Sequence, residues 1–486
     1  MLNRYPLKMQ TATAMGDEIS KDHFAAEDFH LFQQRPDQEA VFVRQLFTQK
    51  RFDNQSRKLG YELELCLLDS SGRPAPFSQQ VLDSAANPLF THELARFNLE
   101  INGNVFAIQP DVFAQIELDL YSLYAQVDRA AARLDLQAGL FGILPSLEMK
   151  HLDRAQFMSD QHRYHWLDQN LMQMRKRPVV LNIQGDDALQ LEKNDVMLEA
   201  LTTSLQTHFQ IPVDEAVDSY HAALWASMAV AAAAANSPLV LGKKCWQESR
   251  IAIFEQAVDT RSEKQVADAV IPRVHFGKGY IRSWLDLFED NNCYSPLLPE
   301  VKDKAPPGKL HHFNLHNGTI WRWVRPVLGI VDDQYHLRLE LRVTPSGPAL
   351  VDTMANMVFF IGLIEGLKQA PEDLTRIPFA VLEQDFYRVA REGLTARANW
   401  CDGDANSMQR LLLEKAIPTA GAGLQRLGIE NPRKWLDIIE ARVMSGRTGA
   451  DWMLRFYQQC SDRHALVLAY LANAKSNTPV HLWPEF

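Results

Sequence analysis

Cysteine is scarce in this chain: five in 486 residues (Cys66, Cys245, Cys293, Cys401 and Cys460), none in CxxC spacing. That argues against a disulfide framework or a thiolate zinc site and fits free thiols in a reducing cytoplasm. Long hydrophobic runs are also missing. The longest, Ala222 to Ala235, is broken by Ser227 and closed by Asn236-Ser237-Pro238, short of the roughly 20 residues that span a bilayer. Its alanines suit a helix packed closely inside a core. The opening residues, Met1 to Lys8, lack the apolar stretch of a secretory signal. Positive charge is not in excess, with 50 Lys and Arg against 60 Asp and Glu, so neither a nucleic-acid nor a membrane partner is expected. No Gly/Ser/Pro linker, internal repeat or low-complexity tract divides the chain. Gly277-Lys278-Gly279 lacks the rest of a P-loop.

What the sequence does hold is a concentration of carboxylates near its start. In Gly60-Tyr-Glu-Leu-Glu-Leu-Cys-Leu-Leu-Asp69 the residues Tyr61, Leu63, Leu65 and Leu67 alternate with Glu62, Glu64 and Cys66, the period of a strand with one apolar face. In Phe97 to Asn102, the residues Phe97, Leu99 and Ile101 alternate with Asn98, Glu100 and Asn102, and Glu93 lies just upstream. Carboxylates two positions apart on one strand face repel unless a cation or a proton sits between them. Hard divalent cations take oxygen ligands of this kind together with substrate phosphates. A solvated outer face is the competing reading for Glu62 and Glu64 taken alone. Cys66 shares their face but has no general base nearby, so it reads as a small buried residue.

The pattern along the chain predicts an N-terminal arm and helix over residues 1–55, loose over 1–35 and helical over 36–52. A single catalytic domain follows over residues 56–486. A long helix is expected from Asp111 to Ala138 with Asp111 as N-cap, and a buried strand from Ala138 to Pro145. Thr207 to Ile211 reads as a strand and Asp218 to Ala235 as a helix. His311 to Arg325 and Tyr335 to Val343 read as further strands. On the first of these His312, Asn314 and His316 alternate, a set better explained as structural than as a metal site. Trp321 and Trp323 read as packing residues. Strands dominate to about residue 350 and helices after it, which predicts an α+β fold with a largely antiparallel sheet.

Three other segments join the carboxylates. His208 and Gln210 share a strand face in Thr207-His-Phe-Gln-Ile211. Arg338, Glu340 and Arg342 share one in Arg338-Leu-Glu-Leu-Arg342. Ile320-Trp-Arg322-Trp-Val-Arg325 interleaves guanidinium groups with tryptophans. Carboxylates and a histidine beside arginine forks make a site for cations plus phosphate. In this order, and continued by Ala234-Ala-Asn-Ser-Pro-Leu239, Glu248-Ser-Arg-Ile251 and Gly347-Pro-Ala-Leu-Val-Asp352, the motifs resemble the glutamate–cysteine ligase family. They are closest in kind to the bacterial carboxylate–amine ligase branch called family 2. The resemblance covers residues 60 to 352.

That resemblance implies a glutamine-synthetase-like fold, an antiparallel sheet funnel with helices on its outer face and a helical C-terminal region. It implies ATP and Mg²⁺ or Mn²⁺ as cofactors, and amide formation through an acyl phosphate as in glutathione biosynthesis. The small-molecule substrates would be glutamate or another carboxylate, and cysteine or another amine. It assigns Glu62, Glu64, Glu93, Glu100, His208 and Glu340 as metal ligands, with Gln210 a neighbour on the nucleotide side. Arg342 and Arg338 would face the phosphates or the acyl phosphate, and Arg322 or Arg325 the nucleotide phosphate or substrate carboxylate. The first strand reads Tyr-Glu-Leu-Glu where many members carry consecutive acidic residues, and no segment marks the amine that is used. Oligomeric state stays open. So do two other functions: a guanidino-kinase-like phosphotransferase, and a non-catalytic regulator that binds nucleotide or amino acid.

Overall fold

The computed structural model describes residues 19, 21, 23–302 and 305–485, so most of the expected N-terminal arm lies outside the described residues. The centre of the molecule is an eight-stranded sheet. Its strands are β1 (Lys58–Leu68), β2 (Phe90–His92), β3 (Asn98–Asn102), β4 (Phe106–Ala107), β5 (Gln137–Gly139), β6 (Leu205–Ile211), β7 (Val324–Val331) and β8 (Gln334–Leu341). The order is β7-β8-β6-β1-β3-β2, with β4 and β5 also on β1. Every pairing is antiparallel. The sheet curls into a half-barrel, and the helices present are those of a mixed α+β fold.

Alternation in β1 explains its central place. Leu63, Leu65 and Leu67 are each 0% exposed and drive one face of the sheet into the core. On that side lie the helices α4 (Ala216–Ala233) and α7 (Leu350–Leu367), α4 against β7 and β8, α7 against β6. The other named helices are α1 (Ala26–Thr48), α2 (Val112–Ala132), α3 (His162–Arg175), α5 (Ser249–Ala257), α6 (His311–Asn317) and α8 (Ile417–Arg426). Among the described residues, α7 alone is long and apolar enough to cross a membrane, with a mean hydropathy of 1.6. It is apolar all round because it is enclosed, packed against α4 and α8.

Several expected elements differ from those observed. The first helix begins at Ala26, not near residue 36, and carries Pro36 inside it. Tertiary docking holds it: Phe32, Val43 and Leu46 are buried, and Glu39 reaches across to α6. The stretch after residue 311 is helical, not extended. Glu39 supplies the reason, accepting hydrogen bonds from the backbone N–H of Phe313 at 2.6 Å and from His312 Nδ1 at 2.7 Å. A carboxylate from a distant helix thus caps the first turn of α6, a helix start with no local sequence signal. The alternation of His312, Asn314 and His316 was therefore misleading. His312 Nε2 accepts from Lys302 N, and His316 meets the Asn291 carbonyl, so both histidines serve the structure. Helix α2 stops at Ala132, six residues early, and the strand after it is only β5. Asp111 sits at the N-cap but its carboxylate takes Gln115 Nε2. The region beyond residue 350 is helical except for a ribbon of Arg397–Asn399 with Ala405–Ser407.

Helices α7 and α8 approach so closely that only glycine fits between them. A Cβ on Gly423 would lie 2.0 Å from the Gly362 carbonyl oxygen, and one on Gly366 would lie 2.0 Å from the Thr419 carbonyl oxygen. Both obstacles are backbone, so a side chain can be admitted only by moving a helix. Gly423→Ala is expected to destabilise the protein by about 1–3 kcal/mol or more. Gly421→Ala, whose Cβ would meet only the end of Leu436 at 3.6 Å, is expected to be nearly neutral. Denaturant midpoints of the two variants check this.

Candidate active site

The face of the sheet opposite α4 and α7 is polar, and its residues are set by register. Glu64 lies opposite Glu100 and Glu62 opposite Asn102 across β1 and β3. On the other side of β1, Gln206 faces Glu62 and His208 faces Gly60. Glu340 then faces His208, Arg338 faces Gln210, and Arg325 faces Glu340. The face is graded. Carboxylates crowd the end near Glu100, and Arg338 and Gln210 lie toward the other.

Glu64, Glu93 and Glu100 form the densest group, with one oxygen from each lying within 4.8 Å of the others. Glu93 arrives from the loop after β2, where it accepts the N–H of Leu94 at 3.3 Å and its carbonyl holds the Ser159 hydroxyl. Glu100 accepts from Thr91 Oγ1 at 3.2 Å and Asn102 Nδ2 at 3.0 Å. Glu64 is gripped by Ser204 N at 2.7 Å, and by Ser204 Oγ and Gln206 Nε2 at 3.0 Å each. Neutral donors position these carboxylates without cancelling their charge. Burial first, and then the charge of Glu64 and Glu100, hold the Glu93 carboxyl well above its ordinary range; burial with Glu62 and Glu64 does the same for Glu100. The donor set is all carboxylate oxygen, which fits a hard divalent cation.

The next row is compensated within the protein. Glu62 accepts from His208 Nε2 at 3.0 Å; burial, the largest single cause, works to raise its carboxyl, but His208 and Arg342 together turn the net shift downward. Glu340, 1% exposed, takes both nitrogens of the Arg325 fork, Nε at 3.0 Å, and Arg342 Nη1. Against its burial, those two arginines keep Glu340 ionised far below the usual range. Arg342 Nη1 also donates to Gln206 Oε1, joining this row to Glu64. Arg338, half-buried, has no hydrogen-bond partner for Nε, and neither has Arg342 Nε. Both guanidinium groups retain a buried donor that a bound anion could satisfy.

Of the residues singled out in the sequence, the structure thus brings together Glu62, Glu64, Glu93, Glu100, His208, Gln210, Arg325, Arg338, Glu340 and Arg342. Arg322 does not reach this face. It is fully buried and donates to Asn291 Oδ1 at 2.9 Å and the Leu287 carbonyl at 3.1 Å, so it ties a loop to the sheet edge. Trp323 points elsewhere too, its Nε1 on Glu255 at 2.7 Å. Three residues were missed. Gln206 continues the alternation of His208 and Gln210 two positions upstream and was legible on a longer strand. Ser204 and Glu199 precede that strand in irregular backbone and a 3-10 turn (Val196–Leu201), where no periodicity flags them. Glu199 joins Glu64, Glu93 and Glu100 in a cleft of about 840 Å³, counting its open mouth, whose far wall is Phe254, Val258 and Trp321. Burial and the Glu64 charge push the Glu199 carboxyl up to about 8.

A curled antiparallel sheet with an acidic and arginine-lined concave face and helices behind it defines the class as the glutamine-synthetase-like fold. The sequence model of glutamate–cysteine ligase family 2 matches residues 58–469, and the chain belongs to that family. Among solved structures the fold is similar to glutamate–cysteine ligase from Francisella tularensis in complex with AMP. That match has 11% identity and a TM-score of 0.55, over 89% of this chain and 91% of that one. A bifunctional glutathione synthetase from Pasteurella multocida aligns at 12% identity and a TM-score of 0.46, over 90% of this chain and 55% of that one. No curated protein sequence matches.

The charge state of the cleft sets a sign for stability against pH. Carboxyls raised on folding bind protons more tightly in the folded than in the unfolded chain, so they destabilise at high pH and recover as pH falls. Glu62 and Glu340 act oppositely, but only below the ordinary carboxylate range. Buried histidines such as His221 and His336, held below the ordinary imidazole range by burial, act the other way as pH falls, so the sign is read from a difference between two proteins. Without divalent cation, Glu93→Gln should melt above the wild type near pH 8, and the gap should shrink as pH is lowered toward about 5. A gap that does not change with pH would mean the cluster is not strained by its own charge.

Proposed function

We propose that the protein is an ATP-dependent carboxylate–amine ligase of the glutamate–cysteine ligase kind, forming a γ-glutamyl amide. The observation that carries this reading is the meeting, on one sheet face, of a carboxylate cluster with arginines that keep unsatisfied donors. Phosphoryl transfer demands little covalent help from a protein. It needs positioned reactants and positive charge where phosphate oxygens gain negative charge.

In this proposal Glu64, Glu93 and Glu100, with Glu62 and His208 beside them, would hold Mg²⁺ or Mn²⁺, which would supply positive charge to offset that of the transferring group. Arg338 and Arg342 turn their free donors to the phosphates, with Gln210 on the nucleotide side. Glu340 was expected from the sequence as a ligand, but its oxygens are occupied by Arg325 and Arg342. Its part here is to hold those guanidinium groups in place, and that of Arg325 is to complete the fork. An oxygen of the substrate carboxylate attacks the γ-phosphorus of ATP, and the bond from that phosphorus to the ADP oxygen breaks. The amine nitrogen then attacks the acyl carbon. A C–N bond forms, the C–O bond to phosphate breaks, and the nitrogen loses a proton. Because an acyl phosphate hydrolyses readily, the recessed cleft protects it from water.

The reading is tested by ADP release with glutamate and a panel of amino acids. Amine-dependent release of ADP and phosphate is expected, and a stable phosphorylated acceptor without free phosphate would overturn it. Arg342→Ala should lower kcat by about 10²–10³-fold, the usual effect of deleting a donor aimed at developing charge. Glu93→Gln should abolish turnover while leaving the protein folded.

A further inference from the structure

We propose that Asp119 is a positioning residue for the cation site. From the back of the sheet it locks a β-bulge that aims Asn102, and through Asn102 the Glu100 carboxylate, into the cleft. This rests on the reading of Glu64, Glu93 and Glu100 as cation ligands and adds to that site a residue outside the cleft.

The register against β1 exposes the bulge. Asn102 lies opposite Glu62, and Phe106 lies opposite Leu59. Gly103, Asn104 and Val105 therefore span a stretch that β1 crosses with Tyr61 and Gly60 alone. An extra residue in one strand bends it and re-aims the side chains beyond. Ahead of the bulge Glu100 and Asn102 face the cleft. After it Val105 does, its Cγ2 lying 3.5 Å from where a Cβ on Gly60 would stand. Asn104 is thereby turned the other way, toward α2.

Asp119, half-buried on α2, catches it there with three hydrogen bonds. Its Oδ1 accepts from Asn104 Nδ2 at 2.6 Å, and its Oδ2 from Asn104 N at 3.1 Å and Tyr61 Oη at 2.8 Å. Tyr61, 2% exposed, has its ring directly beneath the bulge: a Cβ on Gly103 would lie 2.2 Å from Tyr61 Cε1. Gly103 N donates to the Tyr61 carbonyl at 2.9 Å, and Asn102 N to that of Leu89 at 2.7 Å. The residue just before the bulge is the one that reaches the cleft. Asn102 Nδ2 donates at 3.0 Å to both Thr91 Oγ1 and Glu100 Oε1, and Thr91 Oγ1 donates to the same Glu100 oxygen. These donors are neutral, so the aim of Glu100 depends on where the bulge leaves Asn102. Partners behind a metal ligand fix its orientation and count nearly as much as the ligand itself.

The test is Mn²⁺ binding to the substrate-free protein, followed by the electron paramagnetic resonance of free Mn²⁺, beside the Mg²⁺ dependence of ADP release. Asp119→Ala should weaken Mn²⁺ binding at least about 10-fold, the usual effect of removing a partner behind a metal ligand. It should raise the Mg²⁺ concentration for half-maximal rate by a similar factor, with kcat at saturating Mg²⁺ near that of the wild type. Asp119→Asn keeps an oxygen for Tyr61 and Asn104 N, and should recover most of the affinity. Tyr61→Phe removes one of the three bonds, keeps the ring beneath Gly103 and should fall between the two. Gly423→Ala, which weakens the packing of α7 and α8 behind the sheet, should bind Mn²⁺ as the wild type does, separating positioning from stability. Unchanged Mn²⁺ affinity in Asp119→Ala overturns the proposal, as does unchanged affinity in Tyr61→Phe if Asp119→Ala does not fold. A wild type that takes up no Mn²⁺ overturns it too. If no amine supports ADP release and the Mn²⁺ pattern still holds, the ligase reading falls and the positioning role stands.

Discussion

Everything at the cleft follows from the register of one strand. β1 is paired on both sides, by β3 and by β6, so its side chains are fixed in two directions at once. A slip of one residue would send Leu63 and Leu65 to the cleft and Glu62 and Glu64 into the core. Burial of the leucines is therefore what aims the carboxylates. The hydrophobic face and the chemical face of the strand are a single specification read from opposite sides.

The polar face divides its charge between two treatments. Around Glu340 and Glu62 the protein supplies its own counter-charges, and the row is self-sufficient before any ligand arrives. Around Glu64, Glu93 and Glu100 the hydrogen-bond donors are neutral, including Ser204, Gln206, Thr91 and Asn102, and Arg342 and Arg250 offset only part of the Glu64 charge. The first treatment buys a rigid arginine frame; the second leaves a charge deficit for something outside the chain to fill. Preorganisation and unsatisfied demand sit side by side, which is the arrangement a site for cations and polyphosphate requires.

Much of this was legible in the sequence, for reasons that also explain the failures. Period-two alternation in Tyr61 to Leu67, in Thr207 to Ile211 and in Arg338 to Arg342 identified three neighbouring strands and the faces of their polar residues, since strand geometry converts spacing directly into direction. Glu93 was found by nearness in sequence to a strand, although it arrives on a loop. Glu199 and Ser204 were not found because they lie on irregular backbone, where spacing carries no directional information. Arg322 was misplaced because flanking tryptophans made its segment look like a strand, whereas the strand starts at Val324. The error at His311 to Asn317 was of a different kind. Local alternation there was real but coincidental, and the deciding interaction came from Glu39, far away in the chain.

That remote cap ties the beginning of the described chain to its second half. Glu39, 3% exposed, is at once a core residue of α1 and the missing first-turn partner of α6, so neither helix is finished without the other. The N-terminal segment consequently behaves as a keystone and not as an appendage. Trimming past Glu39 would bare the N–H groups of His312 and Phe313 and release the loop held through Lys302.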